Sequence, residues 1–288
     1  MRILVTGGDG LLAHQFKKMG SDGFVFFFPG HAEFDLTDPG LMAQRLGEWD
    51  PQMVINTAAY NLVDRCEIER ERSWAVNAAG PETLALLCAP KNIKLIHFST
   101  DYVFDGVKKT PCGEADPPNP LNHYAAGKLA GERAVLRISP HNLVLRTSWV
   151  FDWHPTQAKT FVHTIVKAAR EGRALKASTD QVSVPTFATD LAQWTLDLLR
   201  QDAGGLVHAV NDEGVSRCDW ARIILAEAVQ AGLISTAPPV EPVLGAFFNS
   251  AMRRPDYTVM SNENLSRRLG HPLGSWHAGL RKMLAQMR

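Results

Sequence analysis

Cysteine is scarce in this sequence: four residues in 288, Cys66, Cys88, Cys112 and Cys218, none in a C-x-x-C pair. That spacing excludes a disulfide framework and a thiolate zinc site, and points to free thiols in a reducing compartment. Charge of one sign is also missing. Thirty basic residues balance thirty acidic ones, so no bulk field draws nucleic acid or an anionic membrane, and neither is expected as a partner. No apolar run approaches the roughly 20 residues of a membrane span. The opening "MRILVTGG" lacks the order of a signal peptide. The ten histidines show no H-x-x-x-H or paired-carboxylate spacing, so no catalytic metal is expected. There is no internal repeat, heptad run or low-complexity tract. The expectation is a soluble, cytoplasmic protein.

What is present is a rhythm. "RILVT" (2–6), "FVFFF" (24–28), "MVINTA" (53–58), "KLIHFST" (94–100) and "NLVLRTSW" (142–149) read as strands. Their continuous apolar character suits strands covered on both faces. Helix patterns fall between them at about 10–20, 39–48, 67–89 and 122–138. The βαβα order predicts an α/β fold, a Rossmann-like doubly wound parallel sheet. Beyond residue 150 the rhythm loosens. Helix patterns at 157–171, 186–201, 216–232 and 274–287 are interrupted by "ALKAS", "GLVHAV" and Pro-rich stretches. The expected organisation is a dinucleotide-binding domain over 1–150 and a smaller, mostly helical C-terminal lobe over 151–288, mainly for substrate. Some of the later segments are expected to return to the first domain.

"ILVTGGDGLLA" sets Gly7, Gly10 and Ala13 directly after the first strand and at the mouth of a helix, with Gly8 adding freedom. A tight turn there lets a pyrophosphate approach the free N–H groups of the helix end. The spacing differs from G-x-G-x-x-G, and a plain βα turn is the bland alternative. The next strand ends in Phe28, Pro29, Gly30 and His31, with no carboxylate to repel a 2′-phosphate. That favours NADPH, with NADH left open.

Tyr124 and Lys128 stand four apart in "LNHYAAGKLAGE" (121–132), one turn apart on one helix face. A nearby cation lowers a phenol pKa. Thr100 ends the strand "LIHFST", and ligands in open α/β sheets bind beyond the carboxyl ends of strands. Together the three groups form a constellation for reducing a carbonyl. The phenol donates a proton to the oxygen, Thr100 hydrogen-bonds it, and Lys128 depresses the phenol pKa and holds the nicotinamide ribose.

With those residues in view, the chain resembles the dTDP-4-dehydrorhamnose reductase family of the extended short-chain dehydrogenase/reductase superfamily. "INTAAYNLVDRCE" (55–67), "AVNAAGPETLA" (75–85), "STDYVFDG" (99–106), "DPPNPLNHYAAGKLAGE" (116–132), "VLRTSWVF" (144–151), "DQVSVPT" (180–186) and "RRPDYTVM" (253–260) resemble its blocks in order. The resemblance implies reduction of the C4 ketone of a dTDP-linked 4-keto-6-deoxy sugar, dTDP-4-dehydro-L-rhamnose, to dTDP-L-rhamnose. It implies Tyr124 as proton donor, assisted by Lys128 and Thr100. Thr100 and Asp101 would contact the sugar, with Val103 and Trp149 bordering it. Gly7, Gly10, Leu11, Leu12, Asp35, Leu36 and Ala58, Ala59, Tyr60 and Asn61 would line the cofactor with Tyr124 and Lys128. Asn77 would support the active-site strand. Departures include Ala125 after the tyrosine and Ser183 in "DQVSVPT", where glycine is usual in both places. The oligomeric state stays open, a homodimer among the options.

Other residues read as structure. His97, inside a strand, is expected to pack in the core, and His123 to support its helix. Trp153, Trp194, Trp220 and Trp276 are expected to fill core contacts. Asp105 fits a turn, and Cys66 and Cys112 have no visible base partner. Two other functions fit the same residues. One is a neighbouring nucleotide-sugar ketoreductase of another deoxysugar pathway. The other is a non-catalytic regulatory subunit resembling the methionine adenosyltransferase beta subunit.

Overall fold

The computed structural model describes residues 1–20, 23–157 and 160–288. The chain runs β1 (Arg2–Thr6), α1 (Leu11–Lys18), β2 (Val25–Phe27), α2 (Pro39–Trp49), β3 (Met53–Asn56), α3 (Arg70–Trp74), α4 (Gly80–Cys88), β4 (Lys94–Thr100), α5 (His123–Ile138) and β5 (Leu143–Thr147). It continues through β6 (Val150–Phe151), α6 (Phe161–Arg170), β7 (Leu175–Ser178), β8 (Val182–Ser183), β9 (Thr186–Phe187), α7 (Ala188–Arg200), β10 (Gly205–His208) and β11 (Val215–Ser216). The last elements are α8 (Arg217–Gln230), β12 (Val240–Val243), α9 (Glu263–Leu269) and α10 (Trp276–Ala285).

Six strands form one parallel sheet in the order β10-β5-β4-β3-β1-β2. The strands read as apolar because both faces are covered. Ile3, Val5, Ile55, Ile96 and Leu145 pack with α1 and α7, whereas Leu4, Val54, Leu95 and Val144 pack with α2, α4 and α5. "GLVHAV" supplies β10, which pairs with β5 at the sheet edge. A third apolar cluster, built around Trp220, Phe151, Phe187 and Trp276, is the core of the lobe. Among the described residues the lobe holds three two-stranded pairs besides its helices.

Polar side chains start the helices where sequence patterns placed them. Asp38 caps α2 ahead of Pro39, Asn122 caps α5, and Ser216 caps α8. Two helix expectations need correction. The pattern over 67–89 is not one α-helix: α3 and α4 flank a widened turn across Ala75–Ala79. There the backbone swells against α5, where a Cβ on Gly131 would stand 2.4 Å from the Asn77 carbonyl oxygen. The pattern over 157–171 yields a helix only from Phe161, and its positions 158 and 159 lie outside the described residues. α9 went unread because seven residues carry too little periodicity.

Candidate active site

Gly7 adopts φ +65°, a conformation side chains rarely take, and a Cβ on Gly8 would stand 2.4 Å from the Phe28 carbonyl oxygen. The turn is therefore tied to glycine by its backbone and by the close approach of β2. Gly10 begins α1 with no side-chain cap and no acid in the first turn. The amide ends of Leu11 and Leu12 are left for an anion. Ala58 packs on Gly7, while Leu36 is buried against Gly80. Asp35 is turned inward on its own loop, accepting from the Thr37 amide and hydroxyl at 2.8 Å each. Ala59 and Asn61 are exposed, and Tyr60 is half-buried beneath Arg72. Asn77, in the widened turn, clamps the Tyr60 backbone through its oxygen (3.0 Å) and its nitrogen (2.9 Å). It thus holds the loop after β3 rather than the strand before Tyr124. Glycine freedom, an uncapped helix end and a braced loop fit a diphosphate-bearing dinucleotide.

At the carboxyl end of β4, Thr100 is buried, with its hydroxyl beside the Tyr124 phenol. Tyr102 meets Tyr124 edge-on at 6.3 Å. The phenol does not become more acidic, contrary to the expectation for a neighbouring cation. Burial raises its pKa, and Asp101 adds to the rise while Thr100 opposes it. The reason is placement: Lys128 Nζ lies 3.4 Å from Nε2 of His97. Burial also lowers the Lys128 ammonium to about 8. His97 is fully enclosed, as a core residue should be, yet it also bonds Asn56 on its other side at 3.1 Å.

Asp101 is 2% exposed and enclosed by hydroxyls. Thr100 donates at 3.1 Å, Ser183 at 2.8 Å and Thr258 at 2.5 Å. Its pKa is raised by burial, against those three hydroxyls and the field of Arg217. Ser183, a departure from the usual glycine, therefore satisfies a buried carboxylate and ties β4 to the lobe. Val103 is fully buried in the lobe core. Trp149 is held at φ +41°, a strained backbone for so large a residue, and stacks on Trp220 at 5.4 Å.

Arg217 escaped the sequence reading. Its guanidinium lies 3.6 Å from the Trp149 ring centre and 4.8 Å from that of Phe161. Burial lowers its pKa to about 10, opposed by Tyr102 and Asp101. A signal was available: Arg217 is the first residue of α8, where the helix dipole disfavours a cation. A local rule broken without local compensation often marks a functional position. His123, by contrast, is structural, bonding the Arg70 carbonyl at 3.0 Å and packing on Trp74. All four cysteines are free and buried, and burial raises each thiol. Among the described residues no cluster of three or more metal-binding groups occurs, and no helix is long and apolar enough to cross a membrane.

The family model described as the RmlD substrate binding domain matches residues 1–288. A dTDP-4-dehydrorhamnose reductase of Mycolicibacterium smegmatis is 36% identical, over 99% of this chain and 85% of that protein. A probable dTDP-4,6-dihydroxy-2-methyloxan-3-one 4-ketoreductase of Streptomyces antibioticus is 32% identical, over 98% and 94%. The crystal structure of the Bacillus anthracis dTDP-4-dehydrorhamnose reductase in complex with NADP superposes with a TM-score of 0.91 at 28% identity, covering 99% of both chains. With a family-model match along its whole length and a relative 36% identical over 99% of it, this chain belongs to the dTDP-4-dehydrorhamnose reductase family.

Proposed function

We propose that this protein is an NAD(P)H-dependent reductase of a nucleotide-linked sugar ketone, acting at C4 of dTDP-4-dehydro-L-rhamnose to give dTDP-L-rhamnose. The names of its relatives and the NADP complex of a structural neighbour support the reaction class and the cofactor. The observation that carries the reading is the Tyr124 phenol, set beside Thr100 at the end of β4 and one helical turn from buried Lys128.

The glycine turn, the N-terminus of α1 and the loop Ala58–Asn61 would hold the dinucleotide, with Lys128 at its ribose. When bound, the reduced nicotinamide supplies the hydride that the ketone carbon takes up. Tyr124 gives its proton to the ketone oxygen: the phenol O–H bond breaks as the new alcohol O–H bond forms. A raised phenol pKa suits this role, because the donor holds its proton throughout the neutral range. The Thr100 hydroxyl, turning its hydrogen from Asp101 to the phenolate, stabilises the charge left behind. Trp149 offers a ring face to the sugar, and Arg217 offers guanidinium N–H groups to the anionic carrier.

The Streptomyces antibioticus relative favours a second reading, a 4-ketoreductase of a different deoxysugar. One assay separates the two. The dTDP-4-keto sugar is generated in situ, loss of NADPH or NADH is followed, and the product is identified. Formation of dTDP-L-rhamnose supports the first reading; turnover only with another dTDP-ketosugar supports the second. Cofactor binding without turnover of either sugar would point to the regulatory-subunit alternative.

A further inference from the structure

Four buried polar side chains cross the sheet in register. Thr6 of β1 lies opposite Asn56 of β3, and Asn56 opposite His97 of β4; His97 then reaches Lys128 of α5. They are 0%, 1%, 0% and 3% exposed. The chain starts directly before the glycine turn and ends at the ammonium expected to hold the nicotinamide ribose.

Its direction can be read from the one partner that cannot reverse. The Ala58 amide only donates, and it donates to Thr6 Oγ1 at 3.3 Å. The Thr6 hydroxyl hydrogen is left with Asn56 Oδ1, at 2.6 Å, as its acceptor. That turns the Asn56 NH₂ towards Nδ1 of His97, at 3.1 Å. An amide NH₂ donates too, so Nδ1 is bare and the neutral ring carries its hydrogen on Nε2. This N–H faces Lys128 Nζ at 3.4 Å. Only the amine form of lysine has a lone pair to receive it.

An ammonium at Lys128 requires every link to reverse. Nζ donates to Nε2, the ring hydrogen sits on Nδ1, and Asn56 turns its oxygen to His97 and its NH₂ to Thr6. Thr6 Oγ1 then accepts twice, and its own hydrogen has no acceptor within the chain. In a fully enclosed residue such an orphaned donor is unfavourable. A dinucleotide lying at the adjacent turn brings phosphate oxygens and negative charge, which favour the reversed state.

We propose that Thr6, Asn56 and His97 are positioning residues that couple the charge of Lys128 to occupation of the cofactor turn, favouring its amine form when the turn is empty and drawing one proton onto it when a dinucleotide binds. The proton comes from solvent onto Nζ, the His97 hydrogen exchanges from Nε2 to Nδ1, and the remaining hydrogens only reorient. The proposal rests on the dinucleotide reading given above. Burial already brings Lys128 to about 8, so a single hydrogen bond decides its charge near neutrality. Among the described residues the other charge acting on it is Glu132, one turn on along α5, and that carboxylate is claimed by Arg146 of β5 at 2.6 and 2.9 Å.

The test uses protein labelled with ¹⁵N-histidine and ¹³C-lysine, studied by NMR above the Lys128 midpoint with and without NADP⁺. The free protein is expected to show neutral His97 protonated on Nε2 and a neutral Lys128. NADP⁺ is expected to move the ring hydrogen to Nδ1 and to charge Lys128. Calorimetry in buffers of different ionisation enthalpy should then record proton uptake on binding. Affinity should fall by up to about tenfold per pH unit above the midpoint. Asn56→Asp, which can only accept, should fix the Nδ1–H form in both states and abolish the uptake. A His97 tautomer that is the same in free and bound wild-type protein overturns the proposal whether or not the variant folds. Failure of NADP⁺ to bind would overturn the cofactor reading instead, while the His97 tautomer of the free protein still decides the direction of the chain.

Discussion

The Arg217 guanidinium lies 3.6 Å from the centre of the Trp149 ring, and among the described residues no carboxylate forms a salt bridge with it. The guanidinium lies over the rings of Trp149, Phe161 and Trp220, while Tyr102 and Asp101 support its charge. A half-buried cation with no carboxylate partner suits an anionic ligand. Arg217→Leu is expected to raise KM for the nucleotide sugar by about 10- to 100-fold, roughly 1.5–3 kcal/mol, with the cofactor Kd unchanged. Arg217→Lys should recover little, because an ammonium does not reproduce the stacked planar fork. Steady-state kinetics and cofactor titration check both.

Tyr124→Phe removes the proposed proton donor while keeping the ring that packs on Tyr102. The expected loss is about 10²- to 10⁴-fold in kcat, with cofactor binding retained. Wild-type turnover in this variant would sink the mechanism.

The pH dependence of activity separates the phenol from the lysine. The Tyr124 phenol, raised above its ordinary value of 10, keeps its proton across the working range. Lys128, lowered to about 8, loses its charge as pH rises through that value. For the cofactor, kcat/KM is therefore expected to decline above about pH 8, and a decline beginning only above pH 10 would assign the limb to Tyr124.

Beneath the site, Arg146 and Glu132 form a two-bonded ion pair at 2% and 4% side-chain exposure. Arg146→Met leaves a buried carboxylate alone and is expected to cost about 3–5 kcal/mol in denaturant unfolding. The double change Arg146→Met with Glu132→Leu should restore much of that loss, because two apolar groups need no partner.

His208 gives an acid-stability signature. Burial lowers its pKa to about 4, the nearby Arg146 charge adding to the fall and Glu114 opposing it. Below the ordinary value of 6.5 the unfolded chain binds a proton that the folded one refuses. Stability is therefore lost as pH falls from about 6.5 towards 4, by up to about 3 kcal/mol. His208→Gln should flatten this part of the melting-temperature profile, and an unchanged slope would refute the assignment.

The parallel sheet was legible because strands covered on both faces must be apolar throughout, as Ile3–Val5, Val54–Ile55 and Leu95–Ile96 are. The glycine turn was legible because a positive φ at Gly7 and the close approach at Gly8 leave little choice of residue. Helix caps such as Asn122 and Ser216 are local chemistry and mark their own positions. Tyr124 and Lys128 could be paired because helical spacing alone puts them on one face. The widened turn at Ala75–Ala79 was invisible, because it answers to the packing of α5 at Gly131 and not to its own residues.

Partnership is what tertiary structure alone decided. Which group Lys128 meets depends on the register that sets Thr6, Asn56 and His97 in one line across three strands. That Asp101 is enclosed by Ser183 and Thr258, 82 and 157 residues away, depends on how the lobe closes on the sheet. Arg217 reaches Trp149 for the same reason. Periodicity, glycine and capping act over a few residues and can be read along the chain. Hydrogen-bond direction, burial and pKa depend on neighbours far off in sequence, and exist only once the chain has folded.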